Sequence, residues 1–176
     1  MSGTPSSGTP VSLDVLDQGR LLRFGVADLM RYHGPLAPGG VAHGYTAMAR
    51  AFPLLSPDGP PERREIRLRT AFPGPGARDA FELVTRAVTE GRYLVDRGLE
   101  RADRGRILER YVFRFDYRER TVTLVLRDGG YVTDEFIALS RTDPRTEAQQ
   151  HHLTVLKDEM AERLLGAPIE QVYQPV

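Results

Sequence analysis

Apolar residues recur along the chain at two different spacings, and the spacing separates helices from strands. In residues 18–32, Leu22, Val26, Leu29 and Met30 fall at helical intervals, with Gly34 and Pro35 as a stop. His33 lies on that same stripe. Residues 40–52 predict a second helix, ended by Pro53. Val41, Tyr45, Met48 and Phe52 make one ridge of it, while Gly40, Gly44, Ala47 and Ala51 make a flat strip that another backbone can approach. Burial on both sides of this helix is the expectation.

Alternation takes over in residues 64–72, where Ile66, Leu68 and Thr70 alternate with Arg67 and Arg69 as in a half-buried strand. A helix follows over 77–89 with Ala77, Ala80, Phe81, Val84 and Val88 on one face, then a short strand over 92–97 and a charged connection. Tyr111, Phe113, Phe115 and Tyr117, then Val122, Leu124 and Leu126, predict two strands joined as a hairpin around Arg118 and Glu119. Asp143 and Pro144 start the last long helix, which runs to Gly166 with Leu153, Leu156, Met160 and Leu164 on one face. Residues 168–173 add one turn. Helices and strands do not alternate regularly, so the expected class is α+β, a small mixed or antiparallel sheet packed with helices.

Composition narrows the function classes. The 176 residues are 40% apolar, with 24 basic and 24 acidic side chains and no Cys, which suits one soluble domain without disulfides or thiolate chemistry. Residues 1–12 are Ser, Gly, Thr and Pro with little to bury, and read as a flexible tail ahead of a single domain over 13–176. No apolar run is long enough to span a membrane, and zero net charge gives no broad surface for nucleic acid, so the expected setting is cytoplasmic. Of the 24 basic residues only Lys157 is a lysine, a bias that a high-GC bacterial genome produces.

Two stretches carry candidate chemistry. His33 and His43 flank the turn PLAPGG, and neutral imidazole serves both as metal ligand and as proton-transfer group near neutral pH. The alternative is structural, a His at a helix C-terminus and a hydrogen-bonded His in a buried helix. Phe72, Gly74, Gly76 and Arg78 belong to a Gly-rich loop opening a helix, a place where backbone N–H groups meet an anion, with Arg69 and Arg78 near. Pro73 and Pro75 remove donors there, and the other reading is a plain turn. Asp79 can orient a histidine. Tyr45 is a further ligand-contact candidate, although Tyr45 and Tyr111 also fit the core. Arg67, Arg69 and Arg114 share a strand face that reads as solvated, and His151 and His152 read as part of a solvated helix face.

The stretch HGPLAPGG from His33 to Gly40, continuing into VAHGYTAMARA, resembles the FmdE family of formylmethanofuran dehydrogenase proteins, whose signature is His-Gly-His-x-Cys-Pro-Gly before a small-residue helix. Residues 77–96, the hairpin around Arg118, and residues 145–173 with their Leu-x-Ala-Pro tail are similar to later parts of that family. The resemblance covers residue 20 to the C-terminus. It implies an α+β domain, often dimeric, with a metal-associated pocket. The first signature His is His33 and the helix Asp is Asp79, whereas Pro35, Ala37 and Gly76 stand where the family has His, Cys and Cys. The zinc-ribbon module of some members has no counterpart here. The implied protein therefore has a pocket without thiolate ligands, in which His43 replaces a ligand or catalytic group.

The functional expectation is a histidine-containing pocket for a small molecule or metal-linked group, with His33 and His43 transferring protons or ligating metal and Asp79 orienting a ring. Candidate cofactors are a divalent metal, zinc or iron, or haem, bound through His33 or His43. The competing expectation is a non-catalytic dimeric partner protein with a degenerate metal site. Expected partners are a second copy of the chain and a small ligand, with neither nucleic acid nor membrane.

Overall fold

The computed structural model describes residues 11–176, so most of the expected tail lies outside the described residues. The chain opens with an antiparallel hairpin, β1 (Leu13–Asp17) and β2 (Arg20–Phe24), before the helix α1 (Val26–His33). This corrects the single helix expected over 18–32. Gln18 and Gly19 both have positive φ, 51° and 78°, which forms the two-residue turn whose twist matches a hairpin. Leu22 therefore belongs to a strand, and its helical spacing to Val26 is coincidental.

Helix α2 (Pro38–Leu55) begins with Pro at its first position and runs two residues past Pro53. A proline this near the C-terminus costs one backbone bond, and Ser56 N–H closes the end on Phe52 O at 2.9 Å. Strand β3 (Ile66–Thr70) leads to α3 (Pro75–Thr85), which starts earlier and stops earlier than the periodicity predicts. Arg86, in a left-handed conformation at φ 59°, ends it. Strand β4 (Tyr93–Val95) precedes the short α4 (Gly105–Leu108), and β5 (Val112–Tyr117) and β6 (Arg120–Leu126) form the expected hairpin. Helix α5 (Asp134–Ser140), capped by the Thr133 side chain, was not expected. Helix α6 (Glu147–Gly166) begins three residues later than Pro144 because Thr146 and Gln149 form a capping box. A single turn, α7 (Ile169–Val172), passes into β7 (Tyr173–Pro175).

The main sheet has the order β4-β3-β5-β6-β7, with β4 parallel to β3 and every other pair antiparallel, so the fold is α+β. Register places Ile66, Leu68 and Thr70 opposite Tyr117, Phe115 and Phe113 on a buried face, and Arg67 and Arg69 opposite Asp116 and Arg114 on the solvated one. Helix α2 lies against the sheet and packs on α3 and α6. Both of its faces are buried as its pattern predicts. A Cβ on Gly44 would sit 2.9 Å from Ala80 Cβ, so the small strip is where α3 crosses closely. Helix α2 and the aromatic strand β5 bury their apolar surfaces within one chain. Among the described residues, no helix is long and apolar enough to cross a membrane.

Candidate functional site

The N-terminal turns of α2 and α3 meet. A Cβ on Gly76 would lie 2.4 Å from Ala37 O and 2.7 Å from Val41 N, an approach that only glycine permits. Behind this junction opens a cavity of about 450 Å³, within the roughly 300–1,000 Å³ of ordinary small-ligand sites. Ala37, Gly39, Gly40, Gly74 and Gly76 form one wall of it. Phe72 and Tyr111 form an aromatic wall, their rings stacked at 4.8 Å between centroids. Phe136, Ile137 and Met160, from α5 and α6, add apolar surface, and Arg106, Arg110, Arg141 and Lys157 supply cations. Tyr111 is only 3% exposed, and burial pushes its hydroxyl well above the ordinary phenol range against the opposing pull of Arg141 and Arg110.

The sequence candidates distribute unevenly around this cavity. Phe72, Gly74 and Gly76 line it. His33 does not: it joins α1 to α3, its Nδ1 lying 2.8 Å from Asp79 Oδ2 with the side chain 4% exposed. Asp79 thus meets a histidine, as its proposed orienting role requires, outside the cavity lining. His43 lies beneath the aromatic wall, fully buried, with Tyr111 at 4.5 Å between ring centroids and its Nδ1 2.7 Å from the Tyr173 hydroxyl. The expectation that one cavity gathers both imidazoles is therefore corrected. The turn between the helices is tight enough to direct the two rings to different neighbours.

Arg69 lies on the solvated sheet face opposite Arg114, and Arg78 extends outward beside Asp79 at 3.3 Å, so neither lines the cavity. Tyr45 lines a separate cavity of about 290 Å³ and donates to Val11 O at 2.5 Å. Sequence reading missed the distal half of the site, Arg106, Phe136, Arg141 and Lys157. A Thr133 cap before an apolar Phe-Ile pair is the signal that marks α5.

The Nε2 atoms of His33 and His43 are both buried and without a partner among the described residues. A zinc site takes about four ligands and a catalytic one about three from protein. Among the described residues, no three His, Asp or Glu side chains come together as such a set. The donor sets around His33 and His43 do not form a cage for zinc or iron.

Burial lowers the His43 pKa from 6.5 to about 3, holding the ring neutral in the folded protein. Once unfolded it protonates below about pH 6.5, so the unfolded state binds the extra proton and stability falls as pH drops from 6.5 towards 3. At pH 5 this one group is expected to remove about 2 kcal/mol relative to pH 7. Denaturant melts at both pH values check it. In His43→Leu the pH-dependent loss should shrink by that amount, and an unchanged profile would show that the imidazole is not the group responsible.

Fold and cavity together define an α+β protein with a small-ligand-sized site at the junction of two helix N-termini. No protein-family model matches the sequence, and no curated protein matches it.

Proposed function

We propose that this protein binds a small molecule in the cavity between the α2–α3 junction and α5. The observation that carries the reading is a 450 Å³ hollow with apolar aromatic walls and a few polar groups directed at one space. The resemblance to the FmdE family supports the same placement. Ala37 and Gly76, which stand where that family carries cysteines, are in contact at the cavity wall. A homodimer belongs to the reading through the resemblance, and cytoplasmic location through a composition without Cys or a membrane-length apolar run.

Ser140 offers a direct test because it is exposed at the cavity edge and its hydroxyl only returns to Ile137 O at 2.9 Å. Ser140→Trp should fill the space and abolish binding of the neutral probe naphthalene-1-acetamide. Its stability should stay within about 0.5 kcal/mol of the parent, as for ordinary surface substitutions. Undiminished binding in the variant would place the probe elsewhere and remove the proposal.

The 2.8 Å contact between His33 and Asp79 favours a second reading, in which the oriented imidazole transfers a proton. Ring ¹⁵N NMR decides it: a His33 tautomer unchanged in Asp79→Asn would remove the orienting role on which that reading depends.

A further inference from the structure

Four cations line the cavity and no acidic side chain does. Three of them already have a carboxylate partner outside the lining: Arg106 with Asp134 at 2.9 Å, Arg110 with Glu100 at 3.2 Å, and Arg141 with Glu109 at 3.7 Å. Lys157 has none among the described residues. Its Nζ donates only to Leu36 O at 3.1 Å, which holds it beside the first turn of α2. There Pro38 has no N–H, and Gly39 and Gly40 lie in the wall as first-turn residues whose N–H groups the helical ladder leaves unused. The positive end of an 18-residue helix and an unpaired ammonium thus face one space. Tyr111 adds an independent sign of a missing partner. It is 97% buried (3% exposed) and lines the cavity, and its hydroxyl has no hydrogen-bond partner among the described residues.

We propose that the cavity binds an amphipathic carboxylate, its anion held by Lys157 and the first turn of α2, its apolar body against Phe72, Phe136 and Met160, and a polar atom accepting from Tyr111. This deepens the small-molecule reading above and rests on it. One uncompensated charge selects a monoanion. A phosphate monoester, at about −1.5 to −2 near neutral pH, would leave negative charge unmatched in an apolar site. Burial of Lys157, together with Arg145 nearby, lowers its pKa, and a bound carboxylate would oppose that shift by pairing with the ammonium.

The test compares two probes of the same shape on the full chain, naphthalene-1-acetate and naphthalene-1-acetamide, by calorimetric titration near pH 7. The carboxylate should bind tighter by on the order of tenfold. Lys157→Met, which keeps the apolar stem, should bring the two probes to equal affinity, and Lys157→Gln repeats the comparison should the first variant melt early. Tyr111→Phe should weaken both probes. Equal affinities in the parent, or a preference that survives both Lys157 variants, would overturn the carboxylate assignment and leave the cavity reading standing. Binding of neither probe would overturn both.

Discussion

Gly76→Ala is expected to lose about 2–3 kcal/mol of stability although it adds a better helix former. In an open helix the exchange gains up to about 1 kcal/mol. Here the new methyl would sit 2.4 Å from Ala37 O, 2.7 Å from Val41 N and 3.1 Å from Gly40 C, all backbone atoms that no rotamer change moves aside. Overpacking of this kind costs about 1–3 kcal/mol and sometimes more, so the clash outweighs the propensity. Ala37 O also accepts the Val41 N–H at 3.2 Å, which means that relief by separating the helices opens the first turn of α2. For a chain of this length the melting temperature should fall by roughly 5–10 °C. Probe affinity should fall with it, because the same junction forms the cavity wall. Gly59→Ala is the control: it is exposed, a Cβ there meets nothing within 4 Å, and no change beyond about 0.5 kcal/mol is expected. A Gly76→Ala protein as stable as the parent would mean that the two helix ends do not approach as described.

Arg63→Met should cost about 3 kcal/mol while leaving the cavity intact. Arg63 is 7% exposed, and its guanidinium donates to Val84 O at 2.9 Å and Leu83 O at 2.7 Å, carbonyls of the last turn of α3. Those carbonyls have no partner further along the helix, so the arginine replaces the missing turn with charge-assisted bonds of about 1.5–3 kcal/mol each. The cation also complements the negative end of α3 and lies 5.7 Å from the Phe24 ring centre. Methionine keeps the apolar stem and leaves two acceptors bare. Lysine at this position should recover only part of the loss, since one ammonium cannot reproduce the planar fork. Chemical denaturation of both variants measures this. A loss below about 1 kcal/mol for methionine would show that water satisfies the carbonyls equally well.

Arg63 illustrates a wider division. As a sequence position it is one arginine among many, in a Pro-rich loop that no periodicity marks. Its role exists only because the loop returns beneath α3. Lys157 is similar, one exposed-looking cation in a helix stripe until Leu36 and Gly39 are brought against α6.

What the sequence determined by itself was local and periodic. The two-sided burial of α2, the alternation in β3, and the β5–β6 hairpin around Arg118, with its φ of 53°, all follow from which residues shun water at which spacing. The β1–β2 hairpin was legible too, in the Gln18-Gly19 turn between alternating Leu13 and Val15 and their partners, but two helically spaced residues masked it. Tertiary structure alone decided the site. His33 meets Asp79 across 46 positions and His43 meets Tyr173 across 130, so no short-range pattern foretells that the two imidazoles part company. The cavity likewise joins α2, α3, α5 and α6, segments whose own patterns record only that each has a buried face. Burial pattern is a property of one element, whereas a concave surface belongs to the gap between several. That gap is set by how closely Gly40, Gly44 and Gly76 let the helix backbones approach.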